Sequence, residues 1–320
     1  MKRGILPVLI ALALAFGVLS TAANADPEST LIINDEVFTF EYDADDAAAV
    51  EDDDDESVLA AVTPLLYKLA ALGDLSGVTT INASGPLDMI AFAFLRGAIL
   101  AFSVEGAGLN EVNVEASAPI PGALVGSDGF DGSEWDDIWE YVAENYQDLK
   151  LNPTLNGIRG PDAANSNSFV AILAEAGVKL GVVTLDDSSL TLPEGHPRDI
   201  LDKIVMKGDS ELDLSNIDKD DLSGADVKDV IDASGVAPGS KIILPEGLSP
   251  TQAALIIQRL AGEIPDLTVS SGVNGTVWDK ADLDEALPRG GSSGGCDAGF
   301  GFGGLLALAG AALLGRCKRR

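Results

Sequence analysis

The feature that most constrains this chain is a short strand-like piece that keeps returning with the same punctuation. Leu190-Thr191-Leu192-Pro193-Glu194-Gly195, Leu212-Asp213-Leu214-Ser215-Asn216, Ile242-Ile243-Leu244-Pro245-Glu246-Gly247 and Leu267-Thr268-Val269-Ser270-Ser271-Gly272 are the clearest copies. Each runs a few aliphatic or β-branched residues into Ser or Pro and then Gly or Asn, which reads as a strand closed by a turn. Their starts lie 22, 30 and 25 residues apart, and Leu-Pro-Glu-Gly itself occurs at 192–195 and again at 244–247. Val112-Asn113-Val114-Glu115-Ala116-Ser117 and the stretch Leu75 to Gly85 carry the same grammar nearer the N-terminus.

Helix candidates alternate with these pieces. Ser57 to Gly73 has a capping serine, an apolar stripe and a terminal glycine. Ser249 to Ala261 has Ser249 as N-cap with Pro250 behind it. Pro197 to Met206, Ala225 to Ile231, the apolar run Leu87 to Phe102 and the acidic, aromatic run Glu134 to Leu149 complete the set. Residues 26–44 read as a β-hairpin turning at Asn34-Asp35-Glu36. The fold class is therefore α/β with repetitive helix–strand units. Spacing of this kind fits a degenerate leucine-rich-repeat-like solenoid, for which repeats run roughly 20–29 residues, and equally fits an ordinary α/β domain. No unit carries the full leucine and asparagine consensus, so both architectures stay open.

Charge narrows the partners. The chain holds 51 acidic and 20 basic residues, a net of −31. Six of the cations (Lys2, Arg3, Arg316, Lys318, Arg319, Arg320) sit at the two extreme ends, where there is no acid, so the remainder carries 51 acids against 14 cations. Such a surface repels phosphate backbones, which excludes nucleic acid as a partner.

The ends read as an export and anchoring pair. Residues 1–25 form a signal peptide: Lys2 and Arg3, an apolar stretch from Ile5 to Leu19, and Ala23-Asn24-Ala25 as the cleavage site, with signal peptidase cutting after Ala25. At the other end, a Gly/Ser motif at 288–297 precedes the uncharged segment 298–315, of membrane-spanning length. The basic tip 316–320 (Arg316, Cys317, Lys318, Arg319, Arg320) then acts as a cytoplasmic stop. The run Ser292-Ser293-Gly294-Gly295-Cys296-Asp297-Ala298-Gly299 resembles the bacterial C-terminal protein-sorting tails of the Synergist-CTERM class, over about the last tenth of the chain. That resemblance implies insertion in the inner membrane and cleavage near Gly294-Gly295-Cys296 by an intramembrane sorting protease. Transfer to the cell surface or outer envelope would follow. Between the ends lie a short β segment with an acidic linker (26–56) and the α/β body (57–287), with a candidate split near 150–165.

Catalytic chemistry is sparse. Cys296 and Cys317 are the only cysteines and the body has none, so a thiol nucleophile or zinc–thiolate cluster has no ligands there. The single histidine, His196, lies in Gly195-His196-Pro197 and reads as a surface loop residue. The best oxygen cluster for calcium is Asn216, Asp218 and Asp220 at alternate positions, but Asp221 and Val227 stand where a calcium loop needs glycine and a bidentate acid. Asp128 and Asp131 form a second, poorly spaced candidate. No other cofactor is implied. Trp135, Trp139, Tyr141 and Tyr146 read as a core face or as an aromatic platform. These observations favour a non-enzymatic surface interaction or adhesion module. A carboxylate-dependent extracellular hydrolase and a calcium-stabilised structural layer are the alternatives.

Overall fold

The computed structural model describes residues 29–43, 55–72, 75, 77–86, 89–104, 108–119, 139–140, 142–144 and 146–287. The expected signal peptide with Ala25, the sorting motif with Gly294, Gly295 and Cys296, the segment 298–315 and the basic tip lie outside them. Asp128, Asp131, Trp135 and Tyr141 do too. No helix of the described residues is long and apolar enough to cross a membrane.

The described residues up to Leu287 form one unit of mixed α/β architecture built on two largely parallel sheets. The larger sheet contains β1 (Thr30–Asn34), β2 (Val37–Glu41), β3 (Thr80–Gly85), β4 (Glu111–Ala116), β5 (Lys150–Asn156), β6 (Lys179–Asp186) and β8 (Leu201–Lys207), side by side in chain order. β1 and β2 pair antiparallel, as the hairpin reading expects, with Asp35 at φ +54° in the turn. Every later pair is parallel, and β5 pairs with β4 on one side and β6 on the other. The second sheet orders β7 (Ser189–Thr191), β9 (Glu211–Asp213), β10 (Lys241–Leu244) and β11 (Thr268–Ser271) in parallel, again by sequence. β12 (Val277–Trp278) closes its far side antiparallel to β11. The four punctuated pieces of the sequence are thus the four parallel strands of this sheet.

Six helices are described: α1 (Asp55–Ala71), α2 (Met89–Val104), α3 (Ala163–Glu175), α4 (Pro197–Ile200), α5 (Pro250–Ala261) and α6 (Lys280–Ala286). α5 begins as its sequence dictates. Ser249 Oγ accepts the Gln252 N–H while Gln252 Oε1 accepts the Ser249 N–H, which satisfies two of the donors a helix start leaves open. Gly262, at φ +76°, ends it. α2 packs on one side of the large sheet, stacking Phe94 against Phe40 at 4.5 Å and Phe102 against Phe38 at 5.1 Å between ring centroids. All four rings are fully buried, each contributing about 1.5–3 kcal/mol of apolar transfer energy. Trp139 packs on Phe169 at 5.8 Å, so this member of the aromatic set is core, not platform.

Two expected helices are corrected. Pro197 to Met206 holds one helical turn and then becomes β8, because Leu201, Ile204 and Met206 bury on the sheet while Asp202, Lys203 and Val205 stay half-exposed. Ala225 to Ile231 keeps only a 3₁₀ turn at Ala225–Val227. Lys228 is extended, Asp229 sits at φ +61°, and Ile231 bridges Ile204 in parallel.

The chain passes between the sheets at recurrent corners. Gly157, Asp187, Gly208 and Gly239 all take positive φ there, and Ile158, Ser188, Ser210 and Ser240 follow them within two residues. The N–H groups of Ser189, Glu211, Lys241 and Thr268 then donate to the carbonyls of Ile158, Ser188, Ser210 and Ser240 in turn, at 2.8 to 3.0 Å. The three serines are completely buried, and their hydroxyls reach the carbonyls of Leu155, Leu185 and Gly208. A buried polar group is tolerated when it is hydrogen-bonded, and here each serine ties its corner to the preceding one.

Candidate functional site: the polar face of the large sheet

Strands β2 to β8 alternate strictly enough to give the large sheet two unlike faces. Phe38, Phe40, Ile81, Ala83, Val112, Val114, Leu151, Leu155, Val183 and Leu185 bury on the helix side. The opposite side carries polar residues that are half-buried or exposed. Its central row, set by register, is Thr39, Asn82, Asn113 and Asn152, one per adjacent strand. Asn113 Nδ2 donates to Asn82 Oδ1 at 2.8 Å, and Asn152 Nδ2 donates to Asn113 Oδ1 at 2.8 Å and to Glu111 Oε1 at 2.6 Å. Stacked amides bonded in series fix one another's orientation.

The row ends on an irregularity with a clear cause. Pro153 has no N–H to give to a ladder and is tolerated in a sheet interior only beside a bulge. The β5–β6 register slips between Leu151 and Thr154, where β6 carries one extra residue. The Asn152 side chain fills the gap: its Oδ1 accepts the Val182 N–H at 2.8 Å. Gly181 leaves the room this needs.

Charge is distributed unevenly over this face. Strands β1 to β4 contain Glu41, Glu111 and Glu115 and no Lys or Arg; β5, β6 and β8 contain Lys150, Lys179, Lys203 and Lys207 beside Asp186 and Asp202. Lys150 Nζ crosses over Gly181 to Asp202 Oδ2 at 2.7 Å. That hydrogen bond and the attraction of the carboxylate, helped by Glu111, hold the Lys150 ammonium above its ordinary pKa. At the C-terminal margin Lys203 lies 3.8 Å from Asp232. Asp232 in turn accepts the Ser234 hydroxyl at 2.6 Å, which, with Lys203, holds its carboxyl below the ordinary range.

A shallow cleft of about 420 Å³ lies elsewhere, lined by Ser223, Gly224, Ala225, Lys228, Gln258, Arg259 and Gly262. Arg259 donates to the Ser223 carbonyl within it. His196 stands in the loop that leads into α4 and is half-buried there. It caps α4, with Nδ1 accepting the Arg198 N–H at 3.2 Å, and its side chain is only 18% exposed. Its Nε2 stands 3.6 Å from Asp226.

Of the expected calcium residues that are described, Asp218 Oδ1 accepts the Asp220 N–H of its own loop at 2.7 Å, and Asn216 Nδ2 donates to the Leu192 carbonyl of the preceding strand–turn piece at 3.4 Å. Among the described residues no group of three or more His, Cys, Asp or Glu is placed to hold a metal ion.

The asparagine row escaped the sequence reading although a signal exists. Thr80-Ile81-Asn82, Glu111-Val112-Asn113 and Lys150-Leu151-Asn152 repeat a polar–aliphatic–asparagine triplet at the start of β3, β4 and β5. Compared with known protein families, curated proteins and solved structures, the chain matches none.

Proposed function

We propose that this is an exported, envelope-anchored interaction module whose body is a short solenoid and whose working surface is the polar face of the large sheet. The solenoid reading rests on parallel strands that neighbour one another in chain order in both sheets, on corners that recur at Gly157, Asp187, Gly208 and Gly239, and on antiparallel strands at β1 and β12 that end the stacks. The N-terminal signal and the sorting tail place the body outside the cytoplasm, held first in the inner membrane and then carried at the surface. The reading is non-enzymatic: the outer face of the large sheet is an array of amides, hydroxyls and opposed charges, suited to a macromolecular partner.

The single observation that carries it is the row Thr39–Asn82–Asn113–Asn152. Four adjacent strands present polar side chains in register on the side away from the core, and three of them are asparagines whose amides are hydrogen-bonded in series. The test is adhesion of cells expressing the full chain against cells expressing Thr154→Arg/Thr184→Arg, two substitutions on this face that touch no hydrogen bond of the row. Loss of adhesion with unchanged surface abundance and melting temperature is the expected result. Equal adhesion would remove the face from the function.

A further inference from the structure

The uneven charge of this face points to its occupant. Taken strand by strand, one half carries Glu41, Glu111 and Glu115 with no cation, and the other carries the four lysines Lys150, Lys179, Lys203 and Lys207 beside the two aspartates Asp186 and Asp202, so the first half is net acidic and the second net basic. Those four lysines are a large share of the 14 cations left once the two extreme ends are set aside, so their gathering on one half-sheet runs against the composition of the chain. Between the halves lie the uncharged amides of Asn113 and Asn152. A surface with acid on one side, base on the other and a neutral centre is complementary to itself when turned by 180° about that centre. This is the condition for a two-fold interface, in which the same patch serves both partners.

We infer that the face binds a second copy of this chain about a two-fold axis near Asn113 and Asn152, the glutamate half of each protomer lying over the lysine half of the other. The inference rests on the reading of this face as the interaction surface and adds its partner. The size is adequate. Seven strands spaced about 4.8 Å apart and strands of about six residues rising about 3.3 Å each give a patch of about 29 by 20 Å. That is close to 600 Å² on each partner, or about 1,200 Å² in all, at the lower limit of specific interfaces and appropriate to a reversible dimer. The overall negative charge does not forbid it. At physiological ionic strength the screening length is about 8 Å, so distant acids of the two bodies are largely hidden from one another while pairs in contact are not. Exposed Val182 in the central row adds apolar contact area.

The test uses full chains in detergent, with mass measured by light scattering. One variant reverses the acidic half (Glu41→Lys/Glu115→Lys) and a second reverses the basic half (Lys179→Glu/Lys207→Glu). None of these four side chains takes part in an ion pair described above. The wild type is expected as a reversible dimer. Each variant alone loses affinity for itself by about tenfold or more, the combined effect of four exposed charge contacts turned repulsive. Mixing the two variants restores the dimer mass, because a face made net positive then meets a face made net negative. A monomeric wild type, a dimer indifferent to both reversals, or variants that fail to recover on mixing would each overturn the inference. Adhesion that survives while the protein is monomeric would leave the interaction face standing with a different partner. Adhesion indifferent to Thr154→Arg/Thr184→Arg would instead remove the face itself.

Discussion

Gly181 exists in this sheet to make room for Asn152. A Cβ on Gly181 would stand 2.2 Å from Asn152 Oδ1, the atom that accepts the Val182 N–H at 2.8 Å. Proline at 153, the bulge in β6, the asparagine and the glycine are therefore one device, in which the Asn152 side chain supplies the acceptor for the Val182 N–H where the ladder is interrupted. The same empty space lets Lys150 reach across β6 to Asp202.

Gly181→Ala should consequently destabilise the protein by about 1–3 kcal/mol, since either Asn152 moves and leaves a backbone N–H unpaired or the strand shifts. Asn152→Ala should cost a similar amount, and the double variant should cost less than the sum of the two. Urea titration of the three variants reads this directly, and additive losses would show that the two residues act independently.

The buried corner serines should be far more sensitive than their small size suggests. Ser210 contacts the Leu185 carbonyl and accepts the Ser188 N–H. Ser210→Val fills the volume while leaving these groups unpaired, which predicts a loss of about 2–4 kcal/mol. Ser168→Ala, at a serine whose hydroxyl bonds only within its own helix turn, should stay within about 0.5 kcal/mol. Thermal melts compare the two.

His196 should behave as a helix cap. His196→Ala is expected to cost about 0.5–2 kcal/mol, whereas His196→Asn, which keeps a short acceptor for the Arg198 N–H, should recover most of it. A histidine needed for chemistry would not be rescued by asparagine.

The two displaced pKa values predict opposite limbs of a stability profile. Asp232 is held low by Ser234 and Lys203, so its contribution is present above the ordinary carboxylate value of 3.8 and is lost as pH falls through the lower folded value. Ser234→Ala should flatten that acid limb. Lys150 is held high by Asp202, so its contribution is present below the ordinary value of 10.5 and is lost as pH rises through the higher folded value. Asp202→Asn should flatten the alkaline limb and leave the acid one. Lys150 is exposed and Asp232 half-exposed, so the effects should be small and should shrink with added salt.

Much of the fold was legible where local chemistry is strong. The cap at Ser249, the Asp35 turn and the strands β7, β9 and β10 that end at Thr191, Asp213 and Leu244 follow from residue types and spacing alone. β5 was hidden by Pro153, which argues against an interior strand until the bulge and Asn152 are known. β8 was read as a continuing helix because Pro197 and Asp199 start one and nothing local says that Leu201 turns to pair with Leu180. The site was the least legible part. Its lysines and glutamates come together only through strand order, and strand order is a property of the whole chain.

Export and retention at the envelope underlie every functional step proposed for the body, and one measurement reaches them most directly. Intact mass and cell fractionation of the wild type should give a mature species beginning near Asp26 and ending near Cys296, at the cell surface, and Cys296→Ala should lose or mislocalise it. A species with the full C-terminus in the inner membrane, unchanged by Cys296→Ala, would contradict sorting through the Gly294-Gly295-Cys296 motif and leave residues 298–315 as a plain anchor.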